Sequence, residues 1–227
     1  MKYLFLFLLA SIPFQNELLG KEPDDNPPRV LRKSSLIQRG YIEHHWFYGI
    51  HVGPVIYFGD HDRQLSLGKR FTPKFEVFGG KWFNNSFGGR LSVGGVEFKG
   101  VTQDSKLSNG LVYDPSQSLK HQTFNYLNIN ADFLVNWSND LVGDNPNRVY
   151  SLVPYASVGL IMGLNHQKAV RITPGLGFLH VFRVNNTVDL QFDIRGTLHG
   201  DGFDGEDGGR NLDGTLSTLV GISFRIK

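Results

Sequence analysis

Four groups of residues carry types that could do chemistry. Asp60-His61-Asp62 sets an imidazole between two carboxylates, the makings of a hydrolase's general base. His44-His45 offers two imidazoles to a metal that would need a third ligand from elsewhere. Asp201, Asp204, Glu206 and Asp207 crowd a Gly-rich run, without the regular oxygen spacing of an EF-hand. His180 stands among apolar residues. Each has a plainer reading: a polar loop start, part of a leader, a solvated acidic loop, and an amphipathic boundary residue. No second acidic or His partner for Asp60 and His61 can be identified. The outward His, Ser and Glu set that a barrel deacylase needs cannot be assembled. The chain has no Cys, which excludes disulfides, thiolate metal sites, thiol nucleophiles and a lipid-modified N-terminal Cys. No Rossmann or P-loop glycine pattern occurs. The expectation is no catalytic residue, no cofactor and no metal site.

A fifth group is defined by position. Glu76, Arg90, Asp132, Arg171, Asp189, Asp193 and Arg195 each sit in the middle of a segment that alternates apolar and polar residues. Residues 124–137 are the clearest such segment. Leu127, Ile129, Ala131, Phe133, Val135 and Trp137 form one set; Tyr126, Asn128, Asn130, Asp132, Leu134 and Asn136 form the other. Successive side chains of a strand point to opposite faces, so this strand is greasy on one face and wet on the other. The greasy face meets either a protein core or lipid.

The same alternation predicts strands at 46–58, 74–83, 87–99, 124–137, 149–162, 169–182, 187–198 and 215–226. In the first, Trp46, Tyr48, Ile50, Val52, Pro54, Ile56 and Phe58 share the apolar face. Asn84-Asn85 and Asn185-Asn186 predict tight hairpins, because Asn tolerates positive φ. A phase slip at Gly94-Gly95 predicts a β-bulge that leaves Val96 and Phe98 outward. Pro154 predicts irregular pairing. Residues 59–72, 100–121 and 199–213 read as long loops. The fold expected is all-β: a transmembrane, eight-stranded, antiparallel up-and-down β-barrel.

The ends and the composition choose the solvent. Lys2 and the apolar run 3–10 read as a secretory signal peptide over 1–20, too short for a spanning helix of about 20 residues. Residues 21–45 read as a flexible periplasmic leader, and 46–227 as the barrel. A net charge of +2 offers no case for nucleic acid. Aromatics gather at strand ends (Trp46, Phe58, Phe83, Phe87, Trp137, Phe182), as at a membrane interface. A cationic side chain facing mid-bilayer costs about 2–4 kcal/mol, so the seven charges must face inward. There they form a structural charge network, with Arg90 the first choice of partner for Asp132. Inward Gly49, Gly53, Gly175, Gly177 and Gly221 make room for long side chains.

Several segments resemble a known family. Asn145-Pro146-Asn147-Arg148-Val149-Tyr150 with Val153-Pro154-Tyr155, Ala131-Asp132-Phe133-Leu134-Val135-Asn136, Tyr57-Phe58-Gly59-Asp60 and Asp193-Ile194-Arg195-Gly196 are similar, in order and spacing, to OmpA-like outer-membrane β-barrel proteins of the Bacteroidota type. The resemblance spans residues 46–227. It implies eight strands with both ends periplasmic, here without the C-terminal peptidoglycan-binding domain that many such proteins carry. The function expected is structural or interaction-based (membrane integrity, adhesion, loop-mediated recognition), with an interior of paired charges and no wide pore. Expected partners are outer-membrane lipid, the outer-membrane assembly machinery and an extracellular ligand held by loops 59–72, 100–121 and 199–213. Two alternatives are a secreted, soluble, lipocalin-like barrel for a small hydrophobic ligand, which inverts every face, and a barrel-rim hydrolase using Asp60 and His61.

Overall fold

The structure, a computed structural model, describes residues 45–58, 67–103, 105–145, 147–164, 169–200 and 212–226. Asp60, His61, Asp62, His44, the acidic run 201–207, the signal peptide and the leader up to residue 44 lie outside them. The strands are β1 (Trp46–Phe58), β2 (Thr72–Trp82), β3 (Phe87–Thr102), β4 (Ser108–Asp114), β5 (Leu119–Val135), β6 (Tyr150–Gly163), β7 (Val170–Arg183), β8 (Val188–Gly200) and β9 (Leu212–Ile226). Two short helices, α1 (Leu67–Arg70) and α2 (Trp137–Val142), lie in connections. All strands but β4 pair antiparallel around a ring that β9 closes onto β1 and β5 onto β3. This is a closed eight-stranded barrel, as expected from the repeated alternation. No helix among the described residues is long and apolar enough to cross a membrane.

The end with the two four-residue turns 83–86 and 184–187, together with the connection 136–149, is the short-turn end; 59–71, 103–118, 164–169 and 201–211 join the strands at the other, the long-loop end. Both hairpins use the same Asn device, but not through positive φ: Ser118 is the only described non-Gly residue with φ > 0. Instead the first Asn accepts from the backbone. Asn84 Oδ1 takes the amides of Ser86 and Phe87 at 2.8 and 2.7 Å. Asn185 Oδ1 takes those of Thr187 and Val188, both at 2.8 Å. The side chain replaces a ladder partner and fixes the turn.

The structure corrects four expectations. Residues 100–121 are not one loop: β3 runs to Thr102, β5 begins at Leu119, and β4 adds a third strand on the first residues of β5 with a shifting register. This ladder still buries one face, where Val101 and Leu119 pack together with Tyr113 against them, while Leu111 and Val112 are exposed. At Gly94-Gly95 there is no bulge; the registers to β2 and β5 continue unbroken. Gly95 takes φ +152°, and a side chain there would strike the Tyr126 carbonyl. Phe98 therefore faces inward and is buried, stacked on Tyr126 at 3.8 Å. Pro154 pairs in unbroken register with Phe178, and the β5 ladder stops at Tyr155, so no β5 residue stands opposite the imino nitrogen. Ile56, placed on the exposed face by parity, is buried.

The outward face is apolar from strand to strand. Leu91, Ile172 and Leu176 are 65%, 65% and 70% exposed, whereas Arg90, Arg195, Glu76 and His51 are buried. A soluble barrel with an apolar core has the opposite polarity. The interior is layered. Val55, Tyr57, Phe98, Phe124, Tyr126 and Ile161 pack at the long-loop end; Phe47, Phe78, Leu134, Val153, Tyr155 and Leu179 pack at the short-turn end. Glu76, Arg90, Asp132, Asp193 and Arg195 lie between the two.

Candidate functional site

Inward glycines make room for the side chains that fill the barrel. Tyr155 stands opposite Gly177, Phe47 opposite Gly80, Phe78 opposite Gly49 and His51 opposite Gly221. In each pair a Cβ on the glycine would collide with the partner's ring. Without these gaps, rings and guanidinium groups could not lie across the narrow lumen of eight strands.

Arg195 of β8 is the hub. Its Nη1 donates to Glu76 Oε2 at 3.1 Å, its Nη2 to Asp132 Oδ2 at 3.2 Å, and its Nε to the Tyr155 hydroxyl at 2.9 Å. Asp193 Oδ2 lies 3.6 Å from the same Nη2. Arg90 of β3 is the second support: its Nε donates to Asp132 Oδ2 at 2.7 Å and its Nη2 to Asp193 Oδ2 at 2.9 Å. Arg90 and Asp132 are also direct cross-strand partners. Lys74 Nζ sits 3.2 Å from Glu76 Oε2. Tyr155 donates its hydroxyl to Asp193, and its ring underlies both guanidiniums, at 4.9 Å from Arg90 and 5.4 Å from Arg195. His51 Nε2 donates to Gln191 Oε1 at 2.9 Å, and Gln191 Nε2 donates to Ser223 Oγ at 2.8 Å. Three cations (Lys74, Arg90, Arg195) thus face three carboxylates (Glu76, Asp132, Asp193), all buried.

Of the seven charges expected to line the lumen, five meet in this cluster. The other two stand nearer the ends. Asp189 pairs with Arg225 at 3.0 Å near the short-turn end. Arg171 is half-buried near the long-loop end, beside Gly200. Lys74, His51, Tyr155 and Gln191 belong to the cluster but were not among the seven. The signal for Lys74 was its place two residues before Glu76, on the same face. His180 is half-buried on the outer side, with its Nδ1 2.8 Å from the Tyr150 hydroxyl.

His51, Glu76 and Asp193 bring donor atoms within 4.8 Å of one another, a spacing that could hold a metal ion. The donors are already committed. Arg195 bonds Glu76, Arg90 bonds Asp193, and the cations balance the carboxylates three to three. A divalent ion would add uncompensated charge in a place that water does not screen.

No protein-family model matches the sequence. Outer membrane protein 40 of Porphyromonas gingivalis, a Bacteroidota species, is 24% identical over 201 residues. The match covers 83% of this chain and 49% of that protein, so the chain spans about half the length of its relative. Among solved structures, Neisserial surface protein A superposes with a TM-score of 0.48 at 14% identity, over 80% of this chain and 97% of that one. Ail, the attachment invasion locus protein of Yersinia pestis, gives 0.44 at 12% identity, over 82% and 100%. The closed ring of eight strands, the apolar outer face and the curated relative agree: this chain is an eight-stranded outer-membrane β-barrel similar to outer membrane protein 40 of a Bacteroidota species.

Proposed function

We propose that this barrel is a plugged membrane scaffold that presents its long-end segments outside the cell, and that it is not a wide pore. The observation that carries the proposal is the filled cross-section. Glu76, Arg90, Asp132, Asp193 and Arg195 span the lumen from β2, β3, β5 and β8 within hydrogen-bonding distance. An aromatic and aliphatic layer lies on either side of them. The interior of an eight-stranded barrel is just wide enough for such side chains. The charge network is structural in this reading: it holds opposite walls together and blocks the axis.

A barrel without a channel acts through its surface. The candidates for extracellular recognition are the segments 59–72, 100–121 and 199–213. Within the second, β4 carries Leu111 and Val112, both exposed on a strand beyond the end of β6. A role in adhesion, ligand capture or envelope integrity follows from that geometry rather than from any catalytic set. Periplasmic delivery and the outer-membrane assembly machinery are the partners required for insertion, with outer-membrane lipid as the solvent.

Planar-bilayer recording of the purified full-length barrel tests the reading. The expected result is no steady large conductance. A stable, large single-channel conductance of the unmodified barrel would overturn it.

A further inference from the structure

Helix α2 occupies the longest of the short-end connections, between β5 and β6. Its polar side is fastened to the β2–β3 turn. Asn139 Nδ2 donates to the Asn85 carbonyl at 2.6 Å, and Ser86 Oγ donates to Asp140. Asn136 N donates to the Ser86 carbonyl at 2.7 Å. From the far side of the connection, Arg148 Nη1 donates to Asn139 Oδ1 at 2.8 Å and its Nη2 to the Gly143 carbonyl at 2.6 Å. The helix is therefore held in one orientation.

At 3.6 residues per turn, Trp137 and Leu141 fall on the side away from Asn139, while Asp140 lies next to Trp137 and Val142 next to Asn139. Trp137, Leu141 and Val142 are 46%, 76% and 80% exposed. None packs inward; the helix has no buried residue. The apolar side also runs on from the lipid-facing belt. Trp137 comes two residues after Val135, the last residue of β5, and is exposed like Phe133 on that strand's outer face. Tyr150 opens β6 next to it, 5.2 Å from Phe182 and hydrogen-bonded to His180. In barrels of this kind the end with short connections is periplasmic.

We propose that α2 is a membrane-interface anchor, with Trp137 and Leu141 inserted among the lipid headgroups of the periplasm-facing leaflet. The occupant of this face is lipid because the face is an extension of a surface that already meets lipid. A short helix with an exposed Trp and Leu on one side, pinned through Asn139 on the other, suits that depth. It would fix the height of the barrel in the bilayer and cover the edge of β6 where the β5 ladder ends at Tyr155.

The chain has no Cys, so single-site labelling is direct. Three full-length variants, Leu141→Cys, Leu91→Cys and Asn109→Cys, are labelled with an environment-sensitive fluorophore and folded into phospholipid nanodiscs. Heat-modifiable mobility verifies folding. Leu91 reports the bilayer core and Asn109 the water beyond the long-loop end. The expected emission at position 141 is blue-shifted from that at 109 and red-shifted from that at 91. A nitroxide on the lipid headgroup should quench it more strongly than one at the acyl terminus. Emission and iodide quenching at 141 equal to those at 109 would overturn the proposal, leaving α2 in the periplasmic water as a surface for a protein.

Discussion

At the scale of single residues, Arg195 decides the most. It touches Glu76, Asp132, Asp193 and Tyr155 where little water reaches, so removing it strips three carboxylates of a shared partner. Arg195→Met should destabilise the folded barrel by about 3–5 kcal/mol, the usual cost of leaving buried charge unpaired. Lys99→Met, which breaks the exposed 3.8 Å pair with Glu97, should cost no more than about 1 kcal/mol. Urea midpoints of the barrel in lipid vesicles measure both. Parity placed Arg195 on the polar face with the other charges, and the cost of a guanidinium in lipid turned that face inward. Its set of partners was not legible. Parity says nothing of depth along the axis, which depends on the stagger between strands. That is why Arg171 and Asp189, on the same face as Arg195 by parity, stand near opposite ends of the barrel.

At the scale of elements, pairing of small with large side chains determines how strands fit. Gly177 has Tyr155 on one side and Arg195 on the other in the ring of strands. A Cβ there would overlap the Tyr155 ring, whose hydroxyl is tied to Asp193 and Arg195 and cannot swing away freely. Gly177→Ala should cost about 1–3 kcal/mol by overpacking. Combined with Tyr155→Leu, the two should cost less than their sum, a coupling that a double-mutant cycle in urea detects. The sequence marked inward glycines as making room, but not which ring used which gap, because that needs the register across strands. The Asn-Asn hairpins were legible for a different reason than their geometry supplies. The side-chain oxygen of the first Asn, rather than a positive φ, makes the turn. The span 100–121 misled because the residues that its ladder buries together, Val101, Tyr113 and Leu119, are too widely spaced among polar ones to show a period.

At the scale of the molecule, the question is which solvent meets the outside. The eight barrel strands alternate, so the sequence makes the two-faced sheet plain, but alternation is the same for a soluble barrel and a membrane barrel with the faces exchanged. The closed structure resolves the exchange, since its lumen holds the charges and its outside holds Leu91, Ile172 and Leu176. The energetic consequence can be measured at Leu176, which is 70% exposed in the middle of β7. On a protein in water, an exposed Leu→Arg change away from special features alters stability by about 0.5 kcal/mol or less. In a bilayer the same change puts a guanidinium into hydrocarbon and costs about 2–4 kcal/mol, falling toward zero near the headgroups. Leu176→Arg should therefore lower the unfolding free energy in lipid vesicles by that larger amount. Trp46→Arg, at the short-turn end where Lys81 already lies 5.1 Å from the indole, should lower it by about 1 kcal/mol or less. A cost at Leu176 no greater than that at Trp46 would mean that mid-barrel and rim meet the same polar solvent, which the apolar belt does not allow.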